Sequence, residues 1–367
     1  MLHLTVSLAG SGYHPASWRA SRFPLRPDAA AIQQMARVAE RGKLDAVLLG
    51  LPVDGCSGAD KVNALPLDPL PVLGSLIGVT QQIGIAASWT IDYTEPFHVA
   101  RVFASLDHLS YGRSAWIAEM FGAEALAARI GRPPQATGVA QYCRRASEFI
   151  DVVRKLWDSW EDAALALDKV SGTFVEPNRV HPIEFAGEFF TVRGPLNVPR
   201  PPQGNPLVIM HDPFDRDAQQ FAATTADVVL MPRANLVQAR ERYTELHALS
   251  PQGRFCTLVN IGLTLGETEA AARRRAAELD AMAAPPAGLR FIGTPEQLVE
   301  LFAGWEREGA CDGFNLLPAV LDDIEFFVDR AIPLGQKAGL FRADYTGTTL
   351  REHLGLARPR SRYEGTA

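Results

Sequence analysis

The chain has 367 residues, 47% of them hydrophobic, with a formal net charge of −6. Without a dense Lys/Arg block, that balance excludes the footprint of a nucleic-acid binder, and no apolar run approaches the roughly 20 residues of a bilayer span, so no membrane partner is expected. Cys56, Cys143, Cys256 and Cys311 are widely spaced with no CxxC pair, which predicts reduced thiols in a cytoplasmic protein.

Leu2 to Leu8 (LHLTVSL) reads as a first strand, entered without a signal-peptide pattern. A loop with His14 and Trp18 follows. Asp28 caps a helix running through Glu40, and Asp45 to Gly50 (DAVLLG) is a second, continuously apolar strand. Pro69 or Pro71 opens the next helix. Ile83 to Glu119 then spells a complete unit: a strand from Ile83 to Trp89, a helix opened by Pro96 and ended by Gly112, and a strand from Ser114. Gln141 to Trp160 is a long amphipathic helix, and Phe185 to Arg193 a hairpin inserted between the main elements. Leu207 to His211, Asp227 to Met231, Cys256 to Leu263 and Gly313 to Pro318 are strands five to eight. Helices follow from Phe214, Asn235, Glu267 and Leu321, and another, capped by Thr294, precedes the eighth strand.

Eight strands alternating with helices predict an α/β fold of the (β/α)₈ TIM-barrel type. One domain spans 1–355 with its hairpin at about 184–194, and a Pro/Arg-rich tail at 356–367 is expected to pack loosely. A doubly wound sheet is the alternative, but no GxGxxG follows any strand. In a barrel the reactive face lies at the C-terminal ends of the strands. There stand His14 and Trp18, Gly50 and Leu51, Ser88, Trp116 and Glu119, His211, and Arg233. Wall packing competes with a pocket role for Trp116, and a structural hydrogen bond with one for His14 and His211. The rim lacks a carboxylate dyad, HxH or HExxH, which speaks against a glycosidase and predicts no metal site. An aromatic-lined mouth suits a flat aromatic ligand.

Several long stretches carry a resemblance. YTEPFHVARVFASLDHLSYGR (93–113), EFIDVVRKLWDSWEDAA (148–164), VHPIEFAGEFFTVRGPLNVPRPPQGNP (180–206), DGFNLLPAVLDD (312–323) and GLFRADYTGTTLREHLGL (339–356) resemble the nitrilotriacetate and dibenzothiophene-sulfone monooxygenase branch of the bacterial-luciferase-like flavin monooxygenases. The resemblance implies an enzyme that receives reduced FMN from a separate flavin reductase and uses O₂ to oxygenate a small organic substrate. It also implies a homodimer. The family's flavin-contacting positions fall here on Leu51, Ser88, Tyr142 and Asp215, and the substrate side on His14, Trp18, Trp116 and His211.

This chain departs from the family at those positions. Leu51 stands where an acidic residue is usual, and Gly138 replaces the His that pairs with Tyr142. The Gly-Ala-Ser-x-x-Gly loop that offers backbone N–H groups to the FMN phosphate reads Pro213 to Ala218 (PFDRDA). A carboxylate at Asp215, ~4 Å from a phosphate at effective dielectric ~20, would repel it by roughly 4 kcal/mol per charge pair. The FMN site is therefore expected to be weak or lost. A flavin-free, non-catalytic paralogue or partner subunit is the alternative to a working monooxygenase.

Overall fold

The computed structural model describes residues 1–22, 29–50, 67–120, 130–133, 135, 138–213, 215–232, 235–250 and 255–364. In chain order the strands are β1 (His3–Ser7), β2 (Ala46–Leu49), β3 (Gly84–Thr90), β4 (Ser114–Glu119), β5 (Leu165–Asp168), β6 (Thr173–Val175), β7 (Phe185–Ala186), β8 (Thr191–Val192), β9 (Leu207–His211), β10 (Val228–Met231), β11 (Cys256–Leu265), β12 (Leu289–Gly293) and β13 (Gly313–Pro318). Eight of them, β1 to β4, β9, β10, β11 and β13, pair in parallel and close a ring. β13 returns to β1 with Leu4 opposite Phe314 and Val6 opposite Leu316. The expected TIM barrel is the observed one.

Period-two alternation sorts every barrel strand into two faces. Leu48, Ala86, Ile117, Ile209, Leu230 and Leu258 fill the barrel interior, while Val47, Ile85, Trp116, Val208, Val229 and Val259 pack against the surrounding helices. The same alternation decides which residues at the strand tips can face a ligand.

The end of the barrel at the strand N-termini is sealed. The short helix Leu350–His353 sends Leu350 and Leu354 into the interior cluster. Gly84 has no room for a side chain because a Cβ there would fall 2.4 Å from a Leu350 methyl. Three aspartates, each one residue ahead of a strand, stitch this floor. Asp45 accepts the backbone N–H of Leu4 at 2.7 Å, Asp227 that of Val208 at 2.9 Å, and Asp312 that of Thr257 at 2.7 Å. Arg351 is buried and bonds both Asp227 (3.0 Å) and the carbonyl of Asn205 (2.9 Å). Such a floor keeps water out of the barrel from below.

Four features differ from the sequence expectation. β5–β6 and β12 were not foreseen; β12 is a ninth strand outside the ring, running parallel to the far half of β11. The helix expected from Leu321 to Gly339 is broken into Asp323–Phe326, a π-turn at Phe327–Ala331 and Ile332–Lys337. Pro333 lacks the N–H that would continue the ladder, which explains the irregular turn just before it. The helix expected from Phe214 instead starts at Arg216. The tail is strapped down rather than loose: Arg358 bonds both oxygens of Asp162, Arg200 holds the Pro359 carbonyl at 2.8 Å, and Tyr363 stacks on His181 at 3.9 Å. The Asp28 cap lies outside the described residues. No described helix is long and apolar enough to cross a membrane.

Candidate active site

The open end of the barrel is a cup formed by interior-facing residues at the strand C-termini. Ser7, Leu48, Gly50, Ile117, His211, Leu230, Asn260, Asn315 and Leu317 line about 330 Å³ of space, part of it open to solvent. Its floor is polar and internally satisfied: Asn315 donates to Ser7 (3.1 Å) and Asn260 (2.9 Å) and accepts from Thr5 (2.9 Å). Ser88 and Glu119 share the interior phase of β3 and β4. A Cβ at Gly50 would lie 2.8 Å from the Ser88 hydroxyl and 3.8 Å from a Glu119 oxygen, so glycine at 50 is what admits this pair to the wall.

Burial weighs against charge on both titratable groups of the cup wall. Burial pushes the Glu119 carboxyl above its usual range, and hydrogen bonding from Ser88 offsets only part of that. Burial pushes the His211 imidazole down to about 4, and among the described residues the ring has no hydrogen-bond partner. His211 is therefore a neutral imidazole at pH 7, able to donate or accept one proton-sharing bond to whatever fills the cup.

Three residues expected on the substrate side lie elsewhere. Trp116 is on the outward phase of β4, fully buried between Phe103 and Phe149, with centroids at 5.9 and 6.1 Å, and its indole N–H donates to the Trp89 carbonyl at 2.9 Å. It is wall packing, and the alternation with Ile117 and Glu119 carries the correction. His14 is 1% exposed and both its ring nitrogens are engaged: Nδ1 accepts from the Ala16 N–H and Nε2 donates to Asp280, both at 3.1 Å. Its role is to tie the loop after β1 to the helix Glu269–Met282, not to line the cup. Trp18 is half-buried on the turn Ser17–Ala20 beneath the Arg19 guanidinium and is not part of the cup lining. His211 is the residue of that set which faces the cavity.

Two expected flavin contacts are engaged with their own chain. Asp215 caps the helix Arg216–Thr225, its Oδ1 accepting from the N–H groups of Asp217 (2.9 Å) and Ala218 (3.2 Å). The Tyr142 hydroxyl donates to Asp92 at 2.8 Å, and Arg145 lies 3.8 Å from the other oxygen of that buried carboxylate. Burial raises the Asp92 carboxyl, with the bonds from Tyr142 and the charge of Arg145 opposing the shift. Leu51 and Arg233 lie outside the described residues.

The profile of a family described as luciferase-like monooxygenase matches residues 2–312. The chain belongs to that family. Its relatives include N-acetyl-S-(2-succino)cysteine monooxygenase of Bacillus subtilis (strain 168), 34% identical over 99% of this chain and 98% of the relative. Nitrilotriacetate monooxygenase component A of Aminobacter aminovorans is 32% identical over 96% and 95%. Among solved structures, EDTA monooxygenase from Chelativorans sp. BNC1 superposes with a TM-score of 0.86 at 26% identity, covering 97% of this chain and 99% of that one. This luciferase-like monooxygenase is thus an oxidoreductase on a (β/α)₈ barrel whose cup lies at the end where such barrels do chemistry.

Sequence reasoning named Glu119 as a strand-tip residue but gave it no role, and it missed the Ser7–Asn260–Asn315 floor. The signal was available: all four occupy interior phase on strands already located, and a polar residue on the inner face of a barrel strand has to be satisfied there.

Proposed function

We propose that this luciferase-like monooxygenase takes a reduced flavin, supplied by a separate reductase, into the cup and oxygenates a small organic substrate with O₂. The observation that carries this reading is the cup itself: it opens at the strand C-termini, its floor is sealed, and its walls present a carboxyl raised by burial and a neutral imidazole. The printed name of the Aminobacter relative, a monooxygenase component A, supports a separate reductase. A homodimer is part of the proposal, as is FMN or a related flavin as the bound group.

The fit to FMN holds at one end only. Ser88, Glu119 and His211 offer hydrogen-bonding groups to the edge of a flat heterocycle. The described residues do not fit a dianionic phosphate, since Asp215 occupies the helix N-terminus that would receive it and Tyr142 is held by Asp92. A reduced flavin with O₂ supplies the oxidising equivalents when bound. The chain's own part is to exclude water through the Leu350–Leu354 plug, orient the ring through Ser88, and hold the burial-raised Glu119 carboxyl and the neutral His211 beside it.

The same Asp215 cap and Tyr142–Asp92 bond favour a second reading, a flavin-free partner subunit. The two separate on one measurement. Under the first reading, the protein mixed anaerobically with reduced flavin and then exposed to O₂ changes the rate of flavin reoxidation. Reoxidation at the rate seen in buffer, at flavin concentrations up to the millimolar range, would establish the second.

A further inference from the structure

The helix Arg216–Thr225 begins five residues after β9 ends at His211, so its N-terminus belongs to the rim of the cup. A free N-terminus of that length attracts anions through unpaired N–H groups and the aligned peptide dipoles. Here the N–H groups of Asp217 and Ala218 are already taken by the Asp215 carboxylate, Pro213 has no N–H to give, and Asp217 adds a second acid to the first turn. The neighbouring cation Arg242 is committed, to both oxygens of Asp212 and to Glu245 at 3.0 Å. The Tyr142 hydroxyl and the Arg145 guanidinium face the buried Asp92. Apart from the exposed Arg216 at the first helical position, these groups thus carry an internal negative partner, whereas His211, suited to a neutral ring, faces the cavity.

Resting on the flavin reading above, we propose that this chain holds its flavin by the ring and not by the phosphate, so that riboflavin serves as well as FMN. Asp215 is the specificity-determining residue: as an N-cap it supplies in cis the negative charge that a phosphate would bring. Two charge-assisted hydrogen bonds to a phosphate would favour FMN by about 100-fold, and with those donors occupied the preference vanishes.

The test is calorimetric or fluorimetric titration of the full chain with riboflavin and with FMN. Dissociation constants within about threefold of each other are expected for the wild-type protein. The variant Asp215→Ser keeps an N-cap of similar quality but replaces the charged cap with a neutral hydroxyl that a phosphate can displace from the Asp217 and Ala218 N–H groups; it should favour FMN over riboflavin by about tenfold, lose that preference at high salt, and leave riboflavin binding unchanged. A wild-type preference for FMN of about tenfold or more overturns the inference while leaving the flavin reading intact. So does an Asp215→Ser variant with an unaltered ratio. If neither flavin binds, both fall. Should the variant fail to fold, the wild-type ratio still decides.

Discussion

At the closed end of the barrel, buried Asp107 accepts hydrogen bonds from the Ser114 hydroxyl (3.1 Å), the Gln203 amide (2.6 Å) and the Gln203 backbone N–H (3.1 Å). At the open end, Glu119 has the Ser88 hydroxyl as its partner among the described residues, and His211 has none. Both acids are raised by burial, but they are raised in opposite circumstances. Asp107 is surrounded by donors that fix its neighbours in place, so its bonding capacity is spent on the fold. Glu119 and His211 keep capacity in reserve on a surface that faces a cavity. Buried polar groups are ordinarily satisfied; the closed end has exceptions of its own in Asn205 Oδ1 and His353 Nδ1, so what marks the part that meets a ligand is that its spare bonding capacity faces a cavity.

Three substitutions probe that separation. Trp116→Ala, in the layer between barrel and helices, should cost about 4 kcal/mol in urea denaturation by leaving an aromatic-sized hole. Its effect on flavin affinity in a protein that still folds should be small, and a selective loss of ligand binding at unchanged stability would return Trp116 to the pocket. Arg351→Ala removes a buried guanidinium that bonds both the Asn205 carbonyl and the partly buried Asp227 carboxylate, and should cost about 3 kcal/mol, again without changing affinity. A large affinity loss there would show that the two ends are coupled. The smallest effect belongs to His211→Leu. Because burial depresses the folded-state imidazole pKa to about 4 from its ordinary 6.5, the unfolded chain binds more protons between those values. The contribution of His211 to stability is thus intact above pH 6.5 and lost as the pH falls through about 4. With the open edge of the ring hydrated, wild type should lose about 2 kcal/mol relative to His211→Leu between pH 7 and pH 4. Parallel stability curves for the two proteins would mean that the ring is solvated and not part of a dry cup.

Much of the architecture was legible because each barrel strand is a short apolar run, several of them with an acid or a glycine at the start, and several of the helices carry a recognisable cap. Asp45, Asp227 and Asp312 were visible in the sequence at those strand starts, although only the structure shows that each reaches sideways to the next strand's N–H. The site was less legible. Strand-tip position placed Trp116 and His14 near the mouth, but phase sends Trp116 outward, and the two nitrogens of His14 are consumed by the Ala16 N–H and Asp280, a partner 266 residues away. No local pattern announces such a contact. An acidic residue at 215 is expected to repel a phosphate; the sequence pattern starts this helix at Phe214, and the structure shows instead that Asp215 caps a helix from Arg216 through two backbone bonds.

The ring closure has a consequence for how the polypeptide is made. β1 leaves the ribosome early and finds β2 some forty residues later, but its other edge must wait for β13, whose Asn315 meets Thr5 across a separation of 310 residues. Leu350 and Leu354 follow later still. A nascent chain therefore carries an open, apolar strand edge through nearly the whole of translation, the condition under which chaperones engage a growing protein and slow, late-forming contacts govern its yield.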